Sequence, residues 1–274
     1  MHFVPVVPRE TARVARAAFP KGNPYLKLCD ILSIVSAEPE FAALFAWRQR
    51  PALAPWRLAV ILVLQFAEGL SDRQAAEAVR TRIDWKYVLC LDLADAGFGI
   101  GALAEFRTRL GGGSLEQRFL DRLLRVYRVS HALSPSHRRF ADVRRMLVDV
   151  RDTNRVEYLA QTFRQALQAV SLTDPDWAGR WVPLDWYIRY GPLALAAYPP
   201  HGKPARRLFV ATLRADGARL LEALEQADAP ELARHLEIAQ VLRRTWQREF
   251  SVRNGHATLR AVPPGRAPAA GMAR

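Results

Sequence analysis

The sequence predicts a mostly α fold: a helical bundle with a helix-turn-helix-like element, followed by a second, mainly helical region. Three observations carry this expectation. Apolar residues recur at intervals of three and four in several segments. Proline, glycine and small polar residues stand where helices should start and stop. No segment alternates strongly enough between apolar and polar residues to read as a half-buried strand.

Pro5, Pro8, Pro20 and Pro24 punctuate the opening and leave room for one short helix around Glu10–Ala18. Tyr25 to Val35 places Leu28, Ile31, Leu32 and Val35 on one face and reads as a first core helix. Pro51 and Pro55 mark a break, with Pro55 set to open the next helix. Trp56 to Glu68 is apolar nearly all round, as a helix buried on every side must be. Gly69 ends it where a left-handed residue is wanted. Ser71-Asp72-Arg73-Gln74 then forms a capping box, in which serine hydroxyl and glutamine side chain reciprocally satisfy free amides. The helix it opens runs from Asp72 to Thr81 with Ala75, Ala76 and Val79 inward. A buried helix, a tight glycine turn and a capped short helix make helix-turn-helix grammar.

Ala102–Leu110 and Leu115–Tyr127 follow, separated by Gly111-Gly112-Gly113. The second of these turns Leu115, Phe119, Leu123, Leu124 and Tyr127 inward and carries Arg118, Arg122, Arg125 and Arg128 on its other face. A polar, basic connector over residues 130–139 sets the domain boundary, giving a helical first domain over 1–135. The second domain, 136–260, contains an amphipathic helix from Thr153 to Val170, a Pro-punctuated cluster of Trp177, Trp181, Trp186, Tyr187 and Tyr190, and a last helix from Pro230 to Phe250. The tryptophan cluster reads as core. Residues 261–274, rich in Ala, Pro, Gly and Arg, lack periodicity and read as a disordered tail.

Forty basic against 27 acidic residues leave a net charge of +13, which favours a polyanionic partner. Thirty-six of the cations are arginine, whose planar fork suits phosphate and guanine edges, although a GC-rich reading frame also explains the choice of arginine over lysine. Cys29 and Cys90 form no CxxC pair and read as buried thiols. The longest apolar run, Leu58 to Leu64, is far short of the roughly 20 residues that span a bilayer, so a cytoplasmic protein without a membrane partner is expected. The six histidines show no metal-ligand spacing, and Gly97-x-Gly99-x-Gly101 lacks the strand context of a phosphate cradle. The outward chemistry of the capped helix is Arg73, Gln74, Glu77, Arg80 and Arg82, with Lys86 just beyond, and this is what a helix in the major groove would offer.

The run from Trp56 through Glu68-Gly69-Leu70-Ser71-Asp72-Arg73-Gln74, followed by Ile83-Asp84-Trp85-Lys86-Tyr87, resembles the helical amino-terminal domain of bacterial insertion-sequence transposases of the DDE class. Phe19-Pro20-Lys21-Gly22-Asn23-Pro24-Tyr25 and Glu105-Phe106-Arg107-x-Arg109-Leu110 fit the same family. The resemblance implies double-stranded DNA as partner, bound at terminal inverted repeats. On this chain the DNA-binding residues would be Arg73, Gln74, Arg80, Arg82, Lys86, Arg107 and Arg109.

It also implies that the second region corresponds to an incomplete ribonuclease-H-like domain. In the family, two aspartates and a glutamate there hold two divalent metal ions, magnesium being the usual one, for strand cleavage and transfer. Counting back from Asn154-Arg155-Val156-Glu157 puts the first aspartate at Asp142, without its usual small hydroxyl neighbours and with Arg144 and Arg145 close by. The other two acids would lie beyond residue 274, so a truncated, inactive chain is expected. It would use no cofactor, metal or small-molecule substrate of its own, and its protein partner would be a second copy or a full-length transposase. A non-catalytic regulator of transposition and the unstable product of a decayed gene are the alternatives.

Overall fold

The computed structural model describes residues 6–45, 54–111, 113–129, 143–191, 199–200, 202–253 and 256–260. The chain divides into two compact units, 1–155 and 156–274. The boundary expected at 135, Asp142 and the tail at 261–274 lie outside the described residues. Among the described residues no helix is long and apolar enough to cross a membrane.

The first unit contains α1 (Arg9–Ala18), α2 (Pro24–Ser36), a 3-10 turn (Pro39–Phe41) that leads into α3 (Ala42–Phe45), α4 (Pro55–Glu68), α5 (Asp72–Thr81), α6 (Ile83–Val88), α7 (Gly101–Thr108) and α8 (Leu115–Val129). The start of α9 (Val143–Thr173) completes it. Local chemistry sets the boundaries. Asn23 caps α2, its side-chain oxygen accepting the Tyr25 N–H at 2.7 Å, with Pro24 supplying the helical φ of the first turn. Pro55 does the same for α4. Gly69 closes α4 in the left-handed region, at φ 69° and ψ 35°, which a Cβ would disfavour.

The core forms around α4, whose residues from Pro55 to Phe66 are all buried except Arg57. Each large aliphatic side chain so buried contributes on the order of 1.5–3 kcal/mol, which is why an all-round apolar helix can only sit at the centre. Phe45 stacks on Trp56 and meets Phe119 edge-on at 5.6 Å, joining α3, α4 and α8. Val143, Met146 and Val150 of α9 are buried in the same core.

The second unit holds the rest of α9, α10 (Pro175–Trp181), α11 (Leu184–Tyr190), α12 (Lys203–Ala223), α13 (Glu231–His235), α14 (Glu237–Glu249) and an antiparallel hairpin, β1 (Phe250–Arg253) with β2 (His256–Leu259), registered Phe250 to Leu259. Its core is aromatic, with Phe163 meeting Trp186 at 5.3 Å and Tyr190 at 4.6 Å. Trp246 crosses α12 where Gly217 leaves room: a Cβ there would lie 2.2 Å from the indole ring. The Trp246 indole N–H donates to the Arg214 carbonyl at 3.2 Å and fixes this crossing.

Four expectations change. The amphipathic helix begins at Val143, ten residues before Thr153, because Val143, Met146 and Val150 find a core to bury in. The last helix is broken at Leu236, an extended residue at φ −54° and ψ 132° between α13 and α14. That break turns Leu232 outward, 69% exposed, where an unbroken helix would have buried it. The α12 helix and the hairpin were not expected at all. Among the described residues, this hairpin is the sheet present, and the larger sheet of a ribonuclease-H-like domain does not appear.

Candidate nucleic-acid interface

The short helix α5 is anchored by side chains at both ends. At its start the Ser71 hydroxyl accepts the Gln74 N–H at 3.2 Å, and the Gln74 side-chain oxygen accepts the Ser71 N–H at 2.9 Å, completing the capping box. Asp72 ties this turn to three other helices. Its carboxylate takes a bidentate fork from Arg107 of α7 at 2.8 and 2.6 Å and a bond from Gln65 of α4 at 2.8 Å. Its backbone N–H donates to the Asn154 side-chain oxygen on α9 at 2.7 Å. With Asp72 and Arg107 side chains 11% and 19% exposed, the fork is mostly withdrawn from water. There, removing one partner costs more than the pair contributes, because it strands a charge.

A second polar cluster holds the end of α5. Arg82 donates to Glu68 at 2.5 Å and to both oxygens of Asp84 at 3.1 and 2.7 Å. Glu68 also accepts from the Tyr25 hydroxyl at 2.5 Å and the Trp85 indole at 3.2 Å, and Asp84 accepts from Asn23 at 3.4 Å. Burial disfavours the Arg82 charge, but the hydrogen bonds and charges of Asp84 and Glu68 outweigh it and hold the guanidinium above the usual arginine range. The guanidinium also lies over the Trp85 and Tyr25 rings, at 5.4 and 5.8 Å.

Within α6, buried Lys86 holds the following loop through the carbonyls of Asp95 at 2.6 Å and Asp92 at 3.4 Å. Burial lowers its affinity for the proton, against the opposing pull of Asp95 and Asp92. Arg57 pins the adjacent bend by donating to the carbonyls of Leu89 at 2.6 Å and Cys90 at 3.0 Å. Cys90 there adopts a positive φ of 50°, uncommon for a residue with a side chain. The Cys90 thiol, hydrogen-bonded to Cys29 and buried, is pushed well above the ordinary thiol range; both cysteines are unbridged.

These contacts sort the seven residues expected at a DNA interface. Arg73 and Arg80 are exposed on the outward face of α5, Arg80 paired with Glu77 three residues before it. Arg109 is exposed, its guanidinium 5.2 Å from the centre of the Phe106 ring. Gln74 is half-buried and committed to the capping box, while Arg82, Lys86 and Arg107 direct their donors to partners inside the unit. Leu64, Ala75 and Val79 are buried on the opposite side. The motif residues are thus largely the parts of two internal polar clusters. Asn23, Tyr25, Glu68, Asp84 and Asn154 stand in the sequence motifs without a binding role, and they are the partners that complete these clusters. An acid two positions after Arg82 was the available signal for Asp84.

Among the described residues, no group of three or more histidine, cysteine, aspartate or glutamate side chains is gathered to hold a metal ion. The fold and these clusters define a helical unit in which the clamped helix α5 presents arginines to solvent. Residues 13–109, from within α1 to the end of α7, match the family model described as Transposase domain (DUF772). Over that stretch, which includes both polar clusters apart from Asn154, the chain is transposase-like. Comparisons with curated proteins and with solved structures return no match.

Proposed function

We propose that this chain is a transposase-related protein whose first unit binds double-stranded DNA at the terminal inverted repeats of an insertion element. In this reading α4, the Gly69 turn and α5 act as a helix-turn-helix, with α5 entering the major groove. One observation carries it: α5 is fastened on its inward side to α4, α7 and α9, while Arg73 and Arg80 on its outward side face solvent. A rigid mount with exposed forked donors is what base and phosphate contacts require. Arg82, Lys86 and Arg107 support this mount and do not touch DNA. The match to a transposase domain over residues 13–109 supports the same reading, as does the net charge of +13.

A second reading, a non-catalytic regulator occupying the same ends, is favoured by Arg144 and Arg145. Both are exposed in the first turn of α9, two and three residues beyond Asp142. In the sequence, cations two and three positions after that acid differ from the small hydroxyl neighbours the family places at its first aspartate. Selection by the intact protein from randomised duplexes of about two helical turns tests DNA recognition. Enrichment of one sequence, lost in Arg73→Ala, is expected. Equal recovery of all sequences, or none, would count against it.

A further inference from the structure

The Asp72 N–H is the first of the four amides that a helix leaves without an internal partner. The capping box satisfies the N–H of Gln74, and Asp72 needs an acceptor from outside its own segment. That acceptor is Asn154, 82 residues downstream and 2.7 Å away. A helix that reads DNA contacts base edges mainly with its N-terminal residues, so the tilt of its first turn decides which edges it meets. Arg73 is the residue immediately after this anchored amide.

We infer that Asn154 is a positioning residue for sequence discrimination: by accepting the Asp72 N–H it fixes the tilt of α5 and hence the aim of Arg73. The inference rests on the DNA-binding reading above. It assigns to the first unit a residue that the sequence alone associates with the second region. Asn154 touches no base in this scheme; its effect passes through the backbone of Asp72. Arg107 and Gln65 restrain the same turn through the Asp72 carboxylate, which leaves the amide direction to Asn154. Loss of this bond therefore leaves the helix in place but free to rock about its carboxylate anchor.

The test uses the full chain as wild type, Asn154→Ala and Asn154→Asp, the last retaining an acceptor in the same position. Exchange of the Asp72 amide is measured together with binding to the selected duplex and to a scrambled duplex of equal composition. In N154A the amide should exchange faster, and discrimination between the two duplexes should fall about tenfold, the scale of one bidentate arginine–base contact forfeited when Arg73 is misaimed. The salt dependence should stay the same, since no phosphate contact is removed. N154D should restore most of the discrimination. If far-UV circular dichroism shows N154A unfolded, Asn154→Ser, whose shorter side chain cannot reach the amide, replaces it with the same expected loss. Wild-type discrimination in a folded variant lacking the acceptor overturns the positioning role alone. Wild-type protein that binds neither duplex, or both equally, overturns the DNA reading and this inference with it.

Discussion

Arg107→Ala removes the fork that neutralises Asp72. Among the described residues, the carboxylate, 11% exposed, then keeps the Gln65 side-chain amide as its side-chain donor, at 2.8 Å. Breaking a buried pair on one side costs about 3–5 kcal/mol, and partial access of water to both groups lowers this to about 3 kcal/mol. Urea denaturation of the intact chain, followed by amide exchange in α4 and α5, reads the loss. Those helices should lose protection while α12 and α14 in the second unit keep theirs. Arg107→Lys should recover less than half, because an ammonium is a point charge and cannot reproduce the two parallel bonds. The double variant Asp72→Ala/Arg107→Ala should be less destabilised than the sum of the singles by about 1–3 kcal/mol. If R107A stays within about 0.5 kcal/mol of wild type, as an ordinary surface substitution would, the clasp does not hold α5 and the reasoning fails.

Ser71→Ala should cost about 1 kcal/mol by freeing the Gln74 amide. Adding Gln74→Ala should cost little more, since the two halves of a capping box act together; additive losses measured by thermal denaturation would contradict this. Gly217→Ala should destabilise the second unit by about 1–3 kcal/mol, because the new Cβ would sit 2.2 Å from the Trp246 ring. Near-ultraviolet circular dichroism should show Trp246 displaced; an unchanged spectrum and midpoint would show that the crossing is loose.

Much of the first unit was legible in the sequence because its signals are local. Pro55, Gly69 and the Ser71–Gln74 box fall within a few residues of the boundaries they set, and α5 runs from Asp72 to Thr81 as expected. In the second unit the local signals conflict. Leu213, Leu220 and Leu224 have helical spacing and are buried, yet Gly217 in their midst speaks against a helix until Trp246 is seen lying on it. Asn254-Gly255 is a strong hairpin dipeptide, but the flanking runs are too short to show alternation. The interface was half legible for a different reason. Sequence identifies an arginine but not its partner: Asp72 and Arg107 are 35 residues apart, and Asn23 and Asp84 are 61 apart. Arg73 and Arg80 look the same in a sequence as Arg82 and Arg107; only the fold shows which face solvent and which are enclosed.

The central claim is that the outward face of α5 meets DNA while its inward face only holds it in place. Its most direct test is the salt dependence of duplex binding by fluorescence anisotropy, comparing wild type with the double variant Arg73→Ala/Arg80→Ala. Each lost phosphate contact lowers the slope of log affinity against log salt by about 0.9, so a drop of about one to two units is expected, with folding unaffected. An unchanged slope and affinity in the folded double variant would contradict the account.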